Sequence, residues 1–186
     1  MKLIASIIIL ILIQLSCVQN NKIYKSSHTI SFLDFSEKIK QINLPLSAKC
    51  EMDLKGSNFD FGNKTINKYG PVNSLIYGKL AEKEKYTVIL YINPADVALP
   101  ILQTNNKKGE KISSLNLYEI SCWEEENVKE TSWFRINKNL NIELGDSSTT
   151  FDRNDTGEII ELSKKIKVRN RTFSINSDGV IYEQKK

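Results

Sequence analysis

The sequence predicts a mainly β (α+β) domain: an antiparallel meander of seven to nine short strands with one N-terminal amphipathic helix. Three observations carry that expectation. Apolar and β-branched residues alternate with polar ones over short runs, the period of a half-buried strand. Clusters of Asn, Asp, Gly and Lys separate the runs, as tight hairpin turns require. Only one segment near the start repeats its apolar residues at clear helical spacing. Successive hairpins pair antiparallel, because parallel pairing needs crossovers of a dozen residues or more.

Length and composition suit one such domain. The chain has 186 residues, 40% of them hydrophobic and 9% aromatic. That is enough apolar material for a core and excludes a disordered chain. A net charge of +4 is too small to argue for nucleic acid, and no nucleic-acid partner is expected. One His makes His-centred catalysis or metal binding a poor fit. No metal and no cofactor are expected.

Residues 1–16 read as a signal peptide. Met1-Lys2 supplies a positive start, and Leu3 to Ile13 is an apolar run of 11 residues, broken only by Ala5 and Ser6. A bilayer span needs about 20 residues, whereas a short apolar run behind a positive charge marks export. Ser16-Cys17 then resembles a bacterial lipobox, although Gln14 stands where Leu is usual. The resemblance implies that Cys17 is acylated, palmitate being a typical chain, and becomes the new N-terminus. Each buried acyl CH₂ contributes about 0.8 kcal/mol, so two or three chains make a lasting membrane anchor. Residues 17–29 follow as lipid attachment and tether, polar and containing His28. Loss of Lys2 leaves a mature charge of +3. Residues 30–186 form the single β-rich domain.

That domain opens with the helix. Ser31 precedes Asp34 by three residues, close to a capping box, and Phe32, Phe35, Ile39 and Ile42 form one apolar stripe. Pro45 ends it. Leu46 to Leu54, containing Cys50, reads as a strand. Residues 58–73 read as loop, punctuated by Gly62, Gly70 and Pro71. Tyr86 to Ile92 is continuously apolar or β-branched, so both its faces are covered and it sits centrally in a sheet. Leu99 to Thr104 and Ile112 to Cys122 flank a turn at Asn105 to Glu110.

Two hairpins follow. Phe134 and Ile136 lead through Asn137-Lys138-Asn139 to Leu140, Ile142 and Leu144. Phe173 and Ile175 lead through Ser177-Asp178-Gly179 to Val180-Ile181-Tyr182. They align at an offset of 39 residues, which shared hairpin grammar explains better than a repeat array. Between them Glu158 to Arg169 forms a strand with Ile160, Leu162, Ile166 and Val168 on one face.

Cys50 and Cys122 remain beside Cys17. In an exported chain they either close a disulfide or stay as two buried thiols; the bridge is the preferred reading. No GxSxG, HExxH, P-loop or GxGxxG motif is present, and no catalytic residue is assigned. Asp152-Arg153-Asn154-Asp155-Thr156-Gly157 looks like the start of a calcium loop, but the twelfth position is Ser163 rather than Glu, so an Asp-rich turn is expected. Lys165, Lys167, Arg169 and Arg171 alternate along a strand and share a face. They are the candidate anionic-ligand face, weighed against a solvated or edge-guarding row. The run Glu124-Glu125-Glu126 beside Trp123 is an internal partner for such a row. Trp123, Trp133, Tyr91 and Tyr118 are expected in the core or in cross-strand pairs.

The plan resembles the small lipoproteins of unassigned function found in Bacteroidetes-type bacteria. The resemblance rests on Ser16-Cys17, the Lys/Ile/Asn bias, the Phe-rich helix ending in Leu44-Pro45, and the strand-turn segment Leu102 to Ile112. It implies a cell-envelope location. Val18-Gln19-Asn20-Asn21-Lys22 has no acidic residue, which in that group implies a periplasm-facing position. The expected protein is therefore a lipid-anchored envelope protein with a binding or structural role and no enzymatic one. Its partners would be the membrane, through its lipid, and an envelope protein or polymer. A periplasmic immunity-type protein neutralising a toxin, and an envelope hydrolase using a carboxylate pair, are the alternatives.

Overall fold

The computed structural model describes residues 30–50, 61–94, 98–120 and 122–185. Cys17, His28 and the expected signal and tether lie outside the described residues. Helix α1 spans Phe32–Lys38 and α2 spans Asn63–Tyr69. The strands are β1 (Leu46–Lys49), β2 (Leu75–Glu82), β3 (Tyr86–Asn93), β4 (Leu99–Asn106), β5 (Lys111–Asn116), β6 (Trp123–Glu125), β7 (Val128–Ile136), β8 (Ile142–Arg153), β9 (Ile159–Ile175) and β10 (Ile181–Glu183). They form two antiparallel sheets. One is the meander β2-β3-β4-β5; the other runs β1-β7-β8-β9-β10, with β6 also on β7.

The mainly β antiparallel expectation holds, with ten described strands instead of seven to nine and two helices instead of one. The extra helix, α2, lies in the stretch read as loop. Gly62 and Gly70, loop punctuation by sequence, are its two end caps. Only Ile66 and Tyr69 are buried from it, too few for a visible stripe. The strand expected from Ile112 to Cys122 ends at Asn116 and resumes as β6 at Trp123, because Leu117 and Tyr118 turn inward to the core.

β3 lies between two cores. Tyr86, Val88, Leu90 and Ile92 face the second sheet, where they pack with Leu102, Leu117, Phe134, Ile136, Ile142, Leu144 and Phe173. Ile89 and Tyr91 face the helices and join Phe32, Phe35, Ile66, Tyr69 and Ile76. The result is three layers: helices, four-stranded sheet, second sheet. Successive strand side chains point to opposite faces, so burying both faces requires the unbroken apolar run seen in the sequence.

The α1 cap forms as expected. The Ser31 hydroxyl accepts the Asp34 N–H at 3.2 Å and donates to the Asp34 carboxylate at 2.6 Å. The helix stops at Lys38, before the expected end. Ile39 is already extended, and the chain from Lys40 to Ile42 lies along β2: Lys79 N–H donates to Lys40 O and Ile42 N–H donates to Lys79 O, both at 2.9 Å. This covers the β2 edge of the first sheet.

Four hairpins share one turn. Asn106, Asn137, Asn154 and Asn176 each open it, and each side-chain oxygen accepts the N–H groups two and four residues on. The third residue after each Asn has positive φ: Gly109 and Gly157 at 87°, Gly179 at 88°, and Leu140 at 62°. Asn is suited to the first position because its side chain satisfies backbone donors two and four residues on. The calcium-like fragment is one of these turns, with Asn154 Oδ1 accepting from Thr156 and Glu158.

Cys50 and Cys122 are joined, with Cα atoms 5.3 Å apart. Cys50 follows β1 and Cys122 precedes β6. β1 pairs with Trp133 to Ile136 and β6 with Val128 to Glu130, so the two short strands lie end to end along β7. The bridge ties their junction and spans 72 residues of sequence, a closure worth about 4 kcal/mol in the chain-entropy view.

Two predictions follow from the packing. Leu140 is the only non-glycine among the four left-handed turn positions, yet its side chain is buried. Leu140→Gly relieves about 1 kcal/mol of backbone cost but gives up burial worth about 2–5 kcal/mol. The urea midpoint should therefore fall; a rise would mean that turn strain outweighs burial. Tyr118 packs on Phe134 with ring centroids 5.8 Å apart, and burial pushes its phenol up to about 12. Its hydroxyl has no hydrogen-bond partner among the described residues. The neutral phenol is thus favoured by folding. That stability is complete below the unfolded value near pH 10 and is lost as pH rises toward 12. Tyr118→Phe should flatten this alkaline fall in melting temperature without lowering stability at pH 7.

Candidate functional site

β8 and β9 are longer than the sheet they pack on. β9 has 17 residues and β8 has 12, against eight each in β2, β3 and β4. At one end, Ile142, Leu144 and Phe173 are core. Along the same face, Leu144 gives way to Asp146, Ser148 and Thr150, and Phe173 gives way to Arg171, Arg169, Lys167 and Lys165. The hairpin thus leaves the sandwich as an arm. Every residue from Lys164 to Asn170 is exposed.

The four cations do share a face, in register with Thr150, Ser148, Asp146 and Leu144. Asn170 continues the strand, so Arg171 stays in the row. Their surroundings differ. Arg171 is mostly buried, ion-paired with Glu119 and 3.8 Å from Glu183, with its guanidinium carbon 5.0 Å above the Phe173 ring. Arg169 pairs with Glu119 and with Asp146 at 3.3 Å. Asp146 also accepts from the buried Ser132 hydroxyl at 2.7 Å. Lys165 reaches Asp152 at 2.9 Å. Lys167 has no carboxylate partner among the described residues.

The row therefore divides in two. Its inner half is a strand-locking network: Glu119, three residues before the disulfide, is held by two arginines of β9. Its outer half, Lys165 and Lys167, faces solvent. The acidic run expected to answer the row is used elsewhere, Glu124 with Lys129 at 2.8 Å and Glu126 with Arg153 at 2.9 Å.

The apolar face expected along β9 is only partly formed. Thr150 pairs with Lys165, but Asp152 pairs with Ile160, so four residues of β9 bulge opposite Phe151 alone. The extra residues shift the alternation and put Ile160 on the cation side. Leu162, in the bulge, is 99% exposed. Ile166 and Val168 remain together on the opposite face, 57% and 63% exposed.

Among the aromatic candidates, Tyr91 and Tyr118 are core as expected. The Trp133 ring lies over Gly145, where a Cβ would come within 2.1 Å of it. Trp123 is 45% exposed at the start of β6. A concavity of about 380 Å³ lies between α2, β4 and β5. The polar groups on its floor are engaged: the Gln103 and Asn105 side-chain amides donate to Tyr69 O at 2.7 and 2.9 Å, fixing the end of α2 to the sheet. Among the described residues no group of three or more His, Cys, Asp or Glu is placed to hold a metal ion, and no helix is long and apolar enough to cross a membrane.

No family model, no curated protein and no solved structure matches the chain.

The inner network makes its own prediction. Glu119 and Arg171 are both largely buried side chains, so separating them leaves an uncompensated charge. Glu119→Gln should lower stability by roughly 1–3 kcal/mol. A double-mutant cycle with Arg171→Gln, read by urea denaturation, should give a coupling of about 1 kcal/mol or more. A coupling near zero would mean the pair is surface decoration.

Proposed function

We propose that this chain is a lipid-anchored protein of the cell envelope, facing the periplasm, whose β domain binds a macromolecular partner through the β8–β9 arm. One observation carries the binding part. The arm extends beyond the packed core with both faces of Lys164 to Asn170 open to solvent. Ile166 and Val168 lie together in water on one face of this stretch, and we read that exposed apolar pair as surface for a partner. The anchor part rests on the apolar N-terminal run, Ser16-Cys17 and the likeness to small Bacteroidetes-type lipoproteins. The Cys50–Cys122 bridge supports it, since disulfides persist in exported proteins.

Binding is favoured over a carboxylate-pair hydrolase by what the converging carboxylates do. Glu119 and Asp146 meet on the Arg169 guanidinium and are ion-paired there. That arrangement holds strands together. Toxin neutralisation is one form such binding would take, and it needs no chemistry from the domain.

Both parts have a direct test in the producing cell. Cys17→Ala should move the protein from the membrane to the soluble fraction and abolish incorporation of labelled palmitate; retention in the membrane refutes the anchor. A photo-crosslinking residue at Ile166 should give a discrete adduct, whereas one at the exposed Lys138 turn, at the far end of β8, should not. Equal adducts from both sites refute the arm as the binding element.

A further inference from the structure

The backbone of the arm has an open edge, and the hydrogen-bond alternation identifies which groups it presents. In an antiparallel ladder, residues alternate between bonding one neighbour and facing the other side. Asn176 N–H donates to Val180 O, and Gln184 N–H donates to Thr172 O at 2.8 Å. Even-numbered residues of β9 therefore point toward β10 and odd-numbered ones toward β8. β10 pairs only with Phe173 to Ile175. The register with β8 is continuous from Lys165 to Phe173, so Ile166, Val168 and Asn170 direct their N–H and C=O groups away from the sheet. No strand lies beside them among the described residues. Most other edges are short or covered: β1 has four residues, β6 and β10 have three each, and β2 is lined by Lys40 to Ile42; β5, with six residues, closes the other side of the four-stranded sheet and carries no comparable row of cations.

Resting on the arm as the binding element, we propose that this edge takes an added strand from a partner protein, an extended segment in which acidic and apolar residues alternate. Main-chain bonds to Ile166, Val168 and Asn170 would hold the segment. Directly opposite residues on paired strands share a face. The partner's residues opposite Lys167 and Lys165 therefore meet one cation without a carboxylate partner and one held only by the exposed Asp152, with Arg169 already paired beside them, and those opposite Ile166 and Val168 meet apolar side chains.

Charge argues for this occupant over two others. A second copy docked antiparallel about a two-fold axis normal to the sheet would set odd-numbered residues against odd-numbered ones, cation against cation, which is unfavourable. The chain's own residues 18–29 contain Lys22 and Lys25 and no acidic residue. Lysines alone are a common guard for a sheet edge. Here, however, the outward-bonding positions carry exposed Ile166 and Val168, with no Pro and no bulge between Lys165 and Thr172.

The test uses the full-length protein in detergent micelles and a blocked nine-residue peptide alternating Glu and Val. The peptide should bind, and amide exchange should slow at Ile166, Val168 and Asn170 but not at Lys165, Lys167 and Arg169. Val168→Pro removes one outward N–H without touching the β8 ladder, as edge prolines do, and should weaken binding at least tenfold; Ile166→Pro is the second variant should the first misfold. Replacing Glu by Lys in the peptide should weaken binding equally. Binding lost in Lys165→Glu with Lys167→Glu but kept in both proline variants would overturn strand addition in favour of an anion held by side chains. No peptide binding, with the Ile166 adduct still formed in cells, would overturn the inference and leave the arm reading standing. A dimer dissolved by Val168→Pro would overturn it in favour of a second copy.

Discussion

The fold depends on β3 being buried on both faces. One strand supplies the middle of two cores, so the helices and the second sheet are each anchored to the same few residues. Tyr91 and Ile89 give α1 and α2 a surface to lie on, while Val88, Leu90 and Ile92 do the same for β7, β8 and the inner end of β9. A single polar residue is not absent from this arrangement, since Thr87 is fully buried, but the surrounding strand is apolar. Either layer removed would leave half of β3 exposed, which is why the short helices hold although neither exceeds seven residues. Isolated helices of that length are unstable in water.

β3 was legible in the sequence because its constraint is local: seven consecutive residues without a polar face state two-sided burial directly. The hairpins were legible for a similar reason, and the structure extends that grammar to four turns. The Asn106 and Asn154 turns show in the sequence as turns, but their kinship with the other two lies in the shared Asn side-chain bonds, which only the folded chain displays. Leu140 explains part of the difficulty, since it occupies a position that glycine fills in the other three copies. What stayed hidden was set by distance in the chain. Glu119 is separated from Arg169 by 50 residues, and nothing in either neighbourhood announces their pairing. The four-residue bulge opposite Phe151 was hidden too, because a period-2 reading assumes that alternation never slips. α2 escaped because a helix with two buried side chains has too little pattern to see.

The charged network marks the point at which one sheet outgrows the other. Strands of eight residues extend about 26 Å, whereas β9, with four residues bulged into the place of one, extends about 46 Å at 3.3 Å per position. Past the end of the shorter sheet there is no apolar layer to receive side chains from β8 and β9. The inward face therefore changes from Leu144 and Phe173 to Asp146, Arg169 and Arg171. Glu119, positioned by the Cys50–Cys122 bridge three residues on, closes the sandwich with charge at the place where the core runs out. The disulfide and the ion pairs thus serve one boundary, the first fixing the segment that the second grips.

Beyond that boundary the arm retains regular strand geometry without a core, and this is what gives it a function to explain. A two-stranded ribbon is only marginally stable in water. The arm is continuous with β7 on one side as far as Val128 and Thr150, which supports β8 but not the outer edge of β9. Its distal tip is blunted by the bulge and closed by the Asn154 turn, so extension of pairing there is blocked. Between the bulge and the short β10, the edge is left straight. A chain selected only to avoid association would have carried the bulge into this stretch. β10 pairs three residues of β9, and the Gln184 N–H reaches Thr172 O one position further. Among the described residues the open stretch therefore runs straight from the bulge to Thr172 with Ile166, Val168 and Asn170 bonding outward, which is the geometry that the proposed strand addition uses.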